Sequence, residues 1–400
     1  MKKLILFFAL LIVFFACSQE LEEVINPNNS NKDIEAPGEI ERKLIVVTLD
    51  GLRWQEVFKG ADSTLLFKSG TAVDKEFFWP SDEAKRKENV FDPGFFAKKG
   101  NLYGNRDLNN KVNIKNPTNL SYPGYHEIFT GNTTQIVNNN LIENPHQTVF
   151  EFINEQAKYD DDLDVQVYGI STFLQPLFRV EKSSLMIFSP VQIDYGQPNK
   201  SIDLSFLASE EFFNGTLDAE LAFGVGTQNI WKNFEKLESK VLSYGTTILD
   251  NEKPEMLLYS IGKSFMQETN PKLAYFHFNM TDSYAHKGKY IDYLKAGHNV
   301  SVFLKDLIQF IETDSFYKNN TSVLITTDHG RGVGKKWKSH GPNIEHSDEA
   351  WFILINPEGG IKGVVEEDQQ YYQAQLAATI AKLLKIRFEP NHEFAAPMDL

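Results

Sequence analysis

Five short runs of β-branched and aromatic apolar residues constrain this chain more than any other feature: 44–49, 165–170, 273–278, 323–327 and 351–355, each followed by Asp, Asn or Ser. Runs of this length without polar alternation read as strands buried on both faces, as in the centre of a parallel sheet. Helical stripes lie between and after them. Residues 148–156 carry Val149, Phe150 and Ile153; residues 290–312 keep Ile291, Leu294, Val300, Leu304, Leu307, Ile308 and Ile311 on one stripe; residues 373–384 are rich in Ala and Leu. Strands alternating with helices predict an α/β three-layer sandwich with a mostly parallel central sheet. The less regular stretches 60–118 and 175–260 read as insertions that form a cap over a site.

In such a sheet, ligands sit beyond the carboxyl ends of the strands. Asp50 follows the first run, Asp282 and His286 follow the third four residues apart, Asp328 and His329 follow the fourth, and His340 precedes the last. Three aspartates and three histidines suffice for two metal sites of three protein ligands each, with positions left open for substrate. Taken singly, each is also an ordinary turn, cap or solvated pair. The segment Asn119-Leu-Ser121-Tyr-Pro123-Gly-Tyr125 continues into a helical pattern ending at Thr130-Gly131. Ser121 therefore stands at or just before a helix N-terminus, a place for an N-cap and equally for an anionic oxygen.

Composition narrows the class. The chain has 40 Lys+Arg against 54 Asp+Glu, a net charge of -14, 42% hydrophobic residues and one cysteine, which excludes disordered, collagenous and disulfide-built proteins. No basic stripe offsets the acidity, so nucleic-acid duplex binding is not expected. Lys2 and Lys3 precede an apolar run, Leu4 to Ala16, that is too short for a comfortable membrane span. Phe14-Phe15-Ala16-Cys17 resembles a bacterial lipoprotein signal, with Phe where Leu is commonest. The resemblance implies that Cys17 is lipidated as the mature N-terminus; an ordinary signal peptide with an incidental cysteine is the alternative. The expected division is a signal over 1–17, a flexible tether over 18–41 and one catalytic domain over 42–400. Such a protein would sit in the bacterial cell envelope, lipid-anchored to the outer membrane and facing periplasm or cell surface.

The ordered set Thr-Leu-Asp50-Gly, Ser121-Tyr-Pro, Asp282-Ser-Tyr-Ala-His286, Asp328-His329-Gly and His340-Gly resembles the alkaline phosphatase superfamily, nearest its nucleotide pyrophosphatase/phosphodiesterase-like branch. The resemblance runs over about residues 43–356. It implies two zinc ions and a serine nucleophile that forms a covalent phospho-enzyme. Asp50, Asp328 and His329 would hold one metal beside Ser121, and Asp282, His286 and His340 the other. His346 is the alternative sixth ligand, closer to the last strand. Arg53, Asn139, Asn140 and Arg331 are candidates for substrate contact, each with an ordinary salt-bridge or turn role as its rival.

The implied substrate is a phosphorylated small molecule, or a lipid- or nucleotide-type ester, with a diester or pyrophosphate-type bond favoured because no clear Arg or Lys motif meets a monoester's extra charge. The oligomeric state is left open. A sulfuric ester hydrolase of the same superfamily is the nearest alternative. Its Cys/Ser-x-Pro-x-Arg motif, however, keeps Pro123 here and has Tyr125 in place of Arg. Histidine ligands also suit zinc better than calcium. A non-catalytic surface-binding lipoprotein with a degenerate site is the alternative from a different class.

Overall fold

The computed structural model describes residues 42–156, 165–169, 174–178, 188–189, 202–203, 227–246 and 253–400. Cys17, the signal, the tether over 18–41 and much of the expected cap lie outside the described residues. Among the described residues no helix is long and apolar enough to cross a membrane.

The main sheet has seven strands: β1 (Lys43–Leu49), β2 (Asn101–Tyr103), β3 (Val165–Gly169), β4 (Leu273–Phe278), β5 (Thr321–Thr326), β6 (Phe352–Ile355) and β7 (Gly363–Val364). Their spatial order is β7-β2-β6-β5-β1-β4-β3. β1 pairs in parallel with β4, Leu44 opposite Leu273 through Leu49 opposite Phe278, and on its other side with β5. β3 continues the parallel set beyond β4, while β6 runs antiparallel to both β5 and β2. One reversed strand in an otherwise parallel sheet agrees with the unalternated apolar runs.

The pleat divides β1 between two cores. Ile45, Val47 and Leu49 belong to one hydrophobic cluster, and Leu44 and Val46 to the other. The first cluster is covered by α2 (Thr227–Ser243), α3 (Lys253–Thr269) and α5 (Tyr290–Thr313); the second by α1 (Ser121–Thr130), the helix Val149–Gln156 and α6 (Leu376–Leu383). Two covered faces make the three-layer sandwich, and each fully buried Leu or Val contributes roughly 1.5–3 kcal/mol. α2 seats itself through Ile230, Phe234, Leu237 and Val241, the spacing of one helical face.

Between 60 and 118 the chain is more regular than its sequence suggests. Four short helices, Ser63–Ser69, Ala72–Phe78, Glu83–Glu88 and Pro93–Ala97, precede β2, and the strand Lys111–Asn113 pairs in a second, three-stranded sheet. Helices of this length show no apolar period. Their starts are marked by caps at Asp62, Thr71, Asp82 and Asp92 instead.

Because β1, β4 and β5 are parallel, their carboxyl ends open on one edge, where the chain continues into Asp50, Asn279 and Thr327. α4 (Met280–His286) starts two residues beyond β4 on that same edge.

Candidate metal centre

Each chemistry-bearing side chain is fixed by backbone immediately around it. The Asp50 N–H donates to the Phe278 carbonyl at 2.8 Å, extending the β1–β4 ladder one residue past the strand. Gly51 follows at φ +60, and its N–H donates to Asp328 Oδ1 at 2.9 Å. A Cβ on Gly51 would lie 2.7 Å from Arg331 Nη1, so glycine satisfies both the left-handed turn and the close approach. α4 is begun by Glu255, whose Oε1 accepts the N–H groups of Asn279 and Met280 at 2.6 and 2.8 Å. That start puts Asp282 and His286 one turn apart, with His286 Nε2 3.3 Å from Asp282 Oδ2.

Ser121 is the first residue of α1. Its Oγ lies 3.5 Å from Asp50 Oδ1 and 3.3 Å from His329 Nε2. The helix can come this close because residue 124 is glycine: a Cβ there would meet the Asp328 carbonyl oxygen at 2.5 Å. The Tyr122 N–H in the first turn of the helix is capped by Asn139 Oδ1 at 3.0 Å.

The histidine tautomers follow from their backbone partners. His329 Nδ1 is 2.9 Å from the Gly330 carbonyl and His340 Nδ1 is 2.8 Å from the Asn119 carbonyl, and a carbonyl can only accept. Both Nδ1 atoms therefore carry the proton, and both Nε2 lone pairs face inward. His329 Nε2 sits 3.4 Å from Asp50 Oδ1 and 3.4 Å from Asp328 Oδ2. His340 Nε2 sits 3.0 Å from His286 Nε2 and 3.8 Å from Asp282 Oδ1.

Two ligand trios result, Asp50 with Asp328 and His329, and Asp282 with His329 and His340, the atoms of each within 4.8 Å of one another. His286 adjoins the second through its contacts to Asp282 and His340.

Burial, and after it the neighbouring Asp328 and Asp282 charges, push the Asp50 carboxyl well above the usual range. Burial likewise drives Asp328 to about 8. Burial also acts upward on Asp282, but the His286 hydrogen bond and the Arg331 guanidinium outweigh it and hold that carboxyl low. Burial takes His329 well down and His340 to about 4, keeping both imidazoles neutral near pH 7. Asp328 Oδ2 is buried without a hydrogen-bond partner among the described residues. A crowded carboxylate oxygen with no donor, facing neutral imidazole lone pairs, is an arrangement that a dication would satisfy. The mixed carboxylate and imidazole donor set fits zinc.

The remaining candidates fall in different places. His346 has φ +71 and turns to Glu349, its Nδ1 2.9 Å from Oε1, outside both trios. Arg53 is buried against Glu56, with Nε donating to Oε2 at 2.8 Å and Nη1 to the Gly332 carbonyl at 3.0 Å. Asn140 makes a turn, its N–H on Asn138 Oδ1 and its carbonyl accepting from Ile142. Arg331 is anchored on the Trp337 and Lys338 carbonyls at 3.1 and 2.7 Å and reaches Asp282 Oδ1 with Nη1.

No family model matches the sequence, and no curated protein matches it. Among solved structures the chain is similar to wild type alkaline phosphatase PafA, with 10% identity and a TM-score of 0.50 over 89% of this chain and 98% of that one. It is also similar to the phosphonate monoester hydrolase of Agrobacterium radiobacter, with 11% identity and a TM-score of 0.50 over 90% and 76% of the two chains. The fold is alkaline phosphatase-like.

At 10–11% identity the likeness is one of backbone, so the chemistry of this alkaline phosphatase-like chain is argued from its own side chains. Three residues that shape the centre escaped the sequence reading. Gly124 and Gly51 stand in plain view as Pro-Gly and Asp-Gly pairs, which signal turns but not the close approaches they permit. Glu255 lies 24 residues before the Asn279 N–H it holds, and only the folded α3 brings it there.

Proposed function

We propose that this chain hydrolyses phosphoric esters at a two-metal centre with Ser121 as the nucleophile. The observation that carries the reading is the position of Ser121 Oγ at the N-terminus of α1, 3.3 Å from His329 Nε2 and 3.5 Å from Asp50 Oδ1, beside both ligand trios. Asp50, Asp328 and His329 would hold one zinc ion, and Asp282, His286 and His340 the other. When bound, the two dications would lower the pKa of the serine hydroxyl and offset charge in the in-line transition state.

The chain's own groups supply the rest. Ser121 Oγ loses its proton and bonds to phosphorus while the bond to the leaving oxygen breaks, and water then cleaves the seryl phosphate. Pro123 carries no N–H, and the Tyr122 and Gly124 N–H groups are bonded to Asn139 Oδ1 and the Leu120 carbonyl, so the Ser121 N–H is the helix-terminal donor left for the phosphoryl oxygens. The Asn139 side chain stays beside them through its bond to the Tyr122 N–H. His329 and His340 keep their lone pairs inward because their Nδ1 protons are committed to carbonyls.

Three features support a diester or pyrophosphate-type bond. Arg53 is occupied by Glu56, and Arg331 by Asp282 and two carbonyls, so neither guanidinium is spare for a monoester's second charge. The loop that carries Asn139 also exposes Val137, Leu141 and Ile142. A sulfuric ester is the second reading, disfavoured by Tyr125 at the position where the modification motif has Arg. An envelope location through a lipidated Cys17 belongs to the same proposal.

The test is turnover of a nitrophenyl phosphate monoester and of the matching diester by the wild type and Ser121→Ala, with zinc measured on the same samples. We expect zinc near two per chain, preference for the diester, and loss of both activities in the variant. Unchanged activity in Ser121→Ala ends the proposal.

A further inference from the structure

We propose that the cleft between α2, α3 and α5 is a second anion site, one that takes a tetrahedral oxyanion such as a phosphate group. The cleft encloses about 290 Å3 and shares no residue with the metal centre. α3 and α5 end at Thr269 and Thr313, just before β4 and β5 begin. The lining residues Gln267, Gln309 and Thr313 therefore lie toward the amino edge of the sheet, opposite the edge that carries Asp50 and Asp328.

The case rests on which polar atoms remain once internal bonds are counted. Asp306 is the one carboxylate in the lining, and it is satisfied: Oδ1 accepts from Lys240 at 2.6 Å, and Oδ2 accepts from Tyr259 at 2.8 Å and from buried Lys263. Gln267 Oε1 accepts from Asn233 at 2.9 Å, and Gln309 Oε1 from Lys240 at 3.4 Å. The nearby Glu268 accepts from Asn229. With the carboxylate and both glutamine oxygens taken, the donors left in the lining are the amide nitrogens of Gln267 and Gln309 and the ammonium groups of Lys232 and Lys236, beside the amide oxygens of Asn229 and Asn233. Lys236 reaches Asp306 only at 3.9 Å.

Three lysines, Lys232, Lys236 and Lys263, thus line the cleft against a single carboxylate in a chain whose net charge is -14. A concavity whose one carboxylate is neutralised and whose rim carries ammonium and amide donors is complementary to an oxyanion. Phosphate free in solution and phosphate on a lipid headgroup share that chemistry. The inference stands apart from the catalytic reading, because no catalytic residue takes part in it.

The experiment titrates inorganic phosphate by calorimetry into the full chain and into the double variant Lys232→Gln/Lys236→Gln. Both lysines are exposed and outside the catalytic machinery, so folding and turnover are expected to be unchanged. Phosphate bound at the metal centre is common to both proteins, and the difference reads the cleft. Loss of two charge-assisted hydrogen bonds should weaken cleft binding by about tenfold or more. Gln267→Glu, which adds a carboxylate to the cleft, should weaken it as well.

A parallel arm measures binding to phosphatidylcholine vesicles with and without phosphatidic acid. Loss of free-phosphate binding in the variants identifies the soluble anion. Loss confined to the phosphatidic acid vesicles identifies the headgroup. Identical isotherms and identical vesicle binding in all three proteins overturn the proposal.

Discussion

Ser121 Oγ and His329 Nε2 lie 3.3 Å apart although 208 residues separate them in the chain. β5 delivers His329 to the strand edge, and α1, seated through Gly124, delivers Ser121. The two residues can be separated experimentally. Ser121→Ala leaves six side-chain ligands in place and is expected to retain metal while turnover falls by about three orders of magnitude or more. His329→Ala removes the residue common to both trios and should lose metal as well as turnover. Metal content alongside turnover for each variant checks the distinction; equal metal loss in both would contradict it.

Removing the metals should expose a stability conflict. Asp328 is raised to about 8, and Asp50 is raised with it, chiefly because both carboxyls are buried and further because the acids repel one another. In chelator-treated protein, Asp328→Asn is therefore expected to be more stable than wild type by about 1–4 kcal/mol, read as a higher Tm. In metal-loaded protein the order should reverse, since the variant loses a ligand. A lower Tm for the variant in both states would refute the argument.

Gly124 gives a packing prediction. Alanine is the better helix former by roughly 1 kcal/mol, yet the added methyl would meet the Asp328 carbonyl oxygen at 2.5 Å. α1 must shift away from Asp328, and we expect Gly124→Ala to lose about 1–3 kcal/mol of stability and most of its turnover. Gly360→Ala, where nothing lies within 4 Å of the new methyl, is the control. Urea unfolding and turnover of the two variants decide the matter.

Glu255 gives a pH dependence away from the metals. Burial raises its carboxyl from 4.5 to about 7, against the two backbone N–H groups that it accepts. The folded state therefore holds this proton more tightly than the unfolded chain does. Its stabilising contribution is complete below pH 4.5 and is lost as the pH rises through 7. Glu255→Gln keeps the Oε1 acceptor and removes the titration, so wild type should lose about 3 kcal/mol relative to the variant across that window. Parallel stability curves from urea melts at several pH values would count against it.

Much of the scaffold is legible in the sequence, for reasons that also explain the gaps. β4 spans Leu273–Phe278, matching its apolar run end to end, and α5 ends within one residue of its stripe. Long uniform or periodic segments specify themselves. β2 has three residues and the helix Pro93–Ala97 has five, too few for either period, so that stretch reads as irregular. Asp50, Asp282, His286, Asp328 and His329 are visible because they follow strand runs, Ser121 because it opens a helical pattern and His340 because it precedes the last run, and the structure brings all seven together. The motif match favours His340, but loop spacing keeps His346 as the alternative, because direction depends on backbone torsion. His346 is turned toward Glu349 at φ +71, whereas His340 is tied to Asn119. Sequence leaves Arg53 open between substrate contact and an ordinary salt bridge, and the fold pairs it with Glu56 beneath the Tyr290 and Tyr293 hydroxyls.

The parallel neighbours of β1 come from residues 273–278 and 321–326, so the strand bearing Asp50 waits for the last third of the polypeptide before it has company on either side. An N-terminal fragment carries Asp50 and Ser121, and a C-terminal fragment carries the other acids and imidazoles. Neither half owns a working centre. A two-metal centre of the proposed kind would thus be completed late, only once residues 273–340 have joined β1.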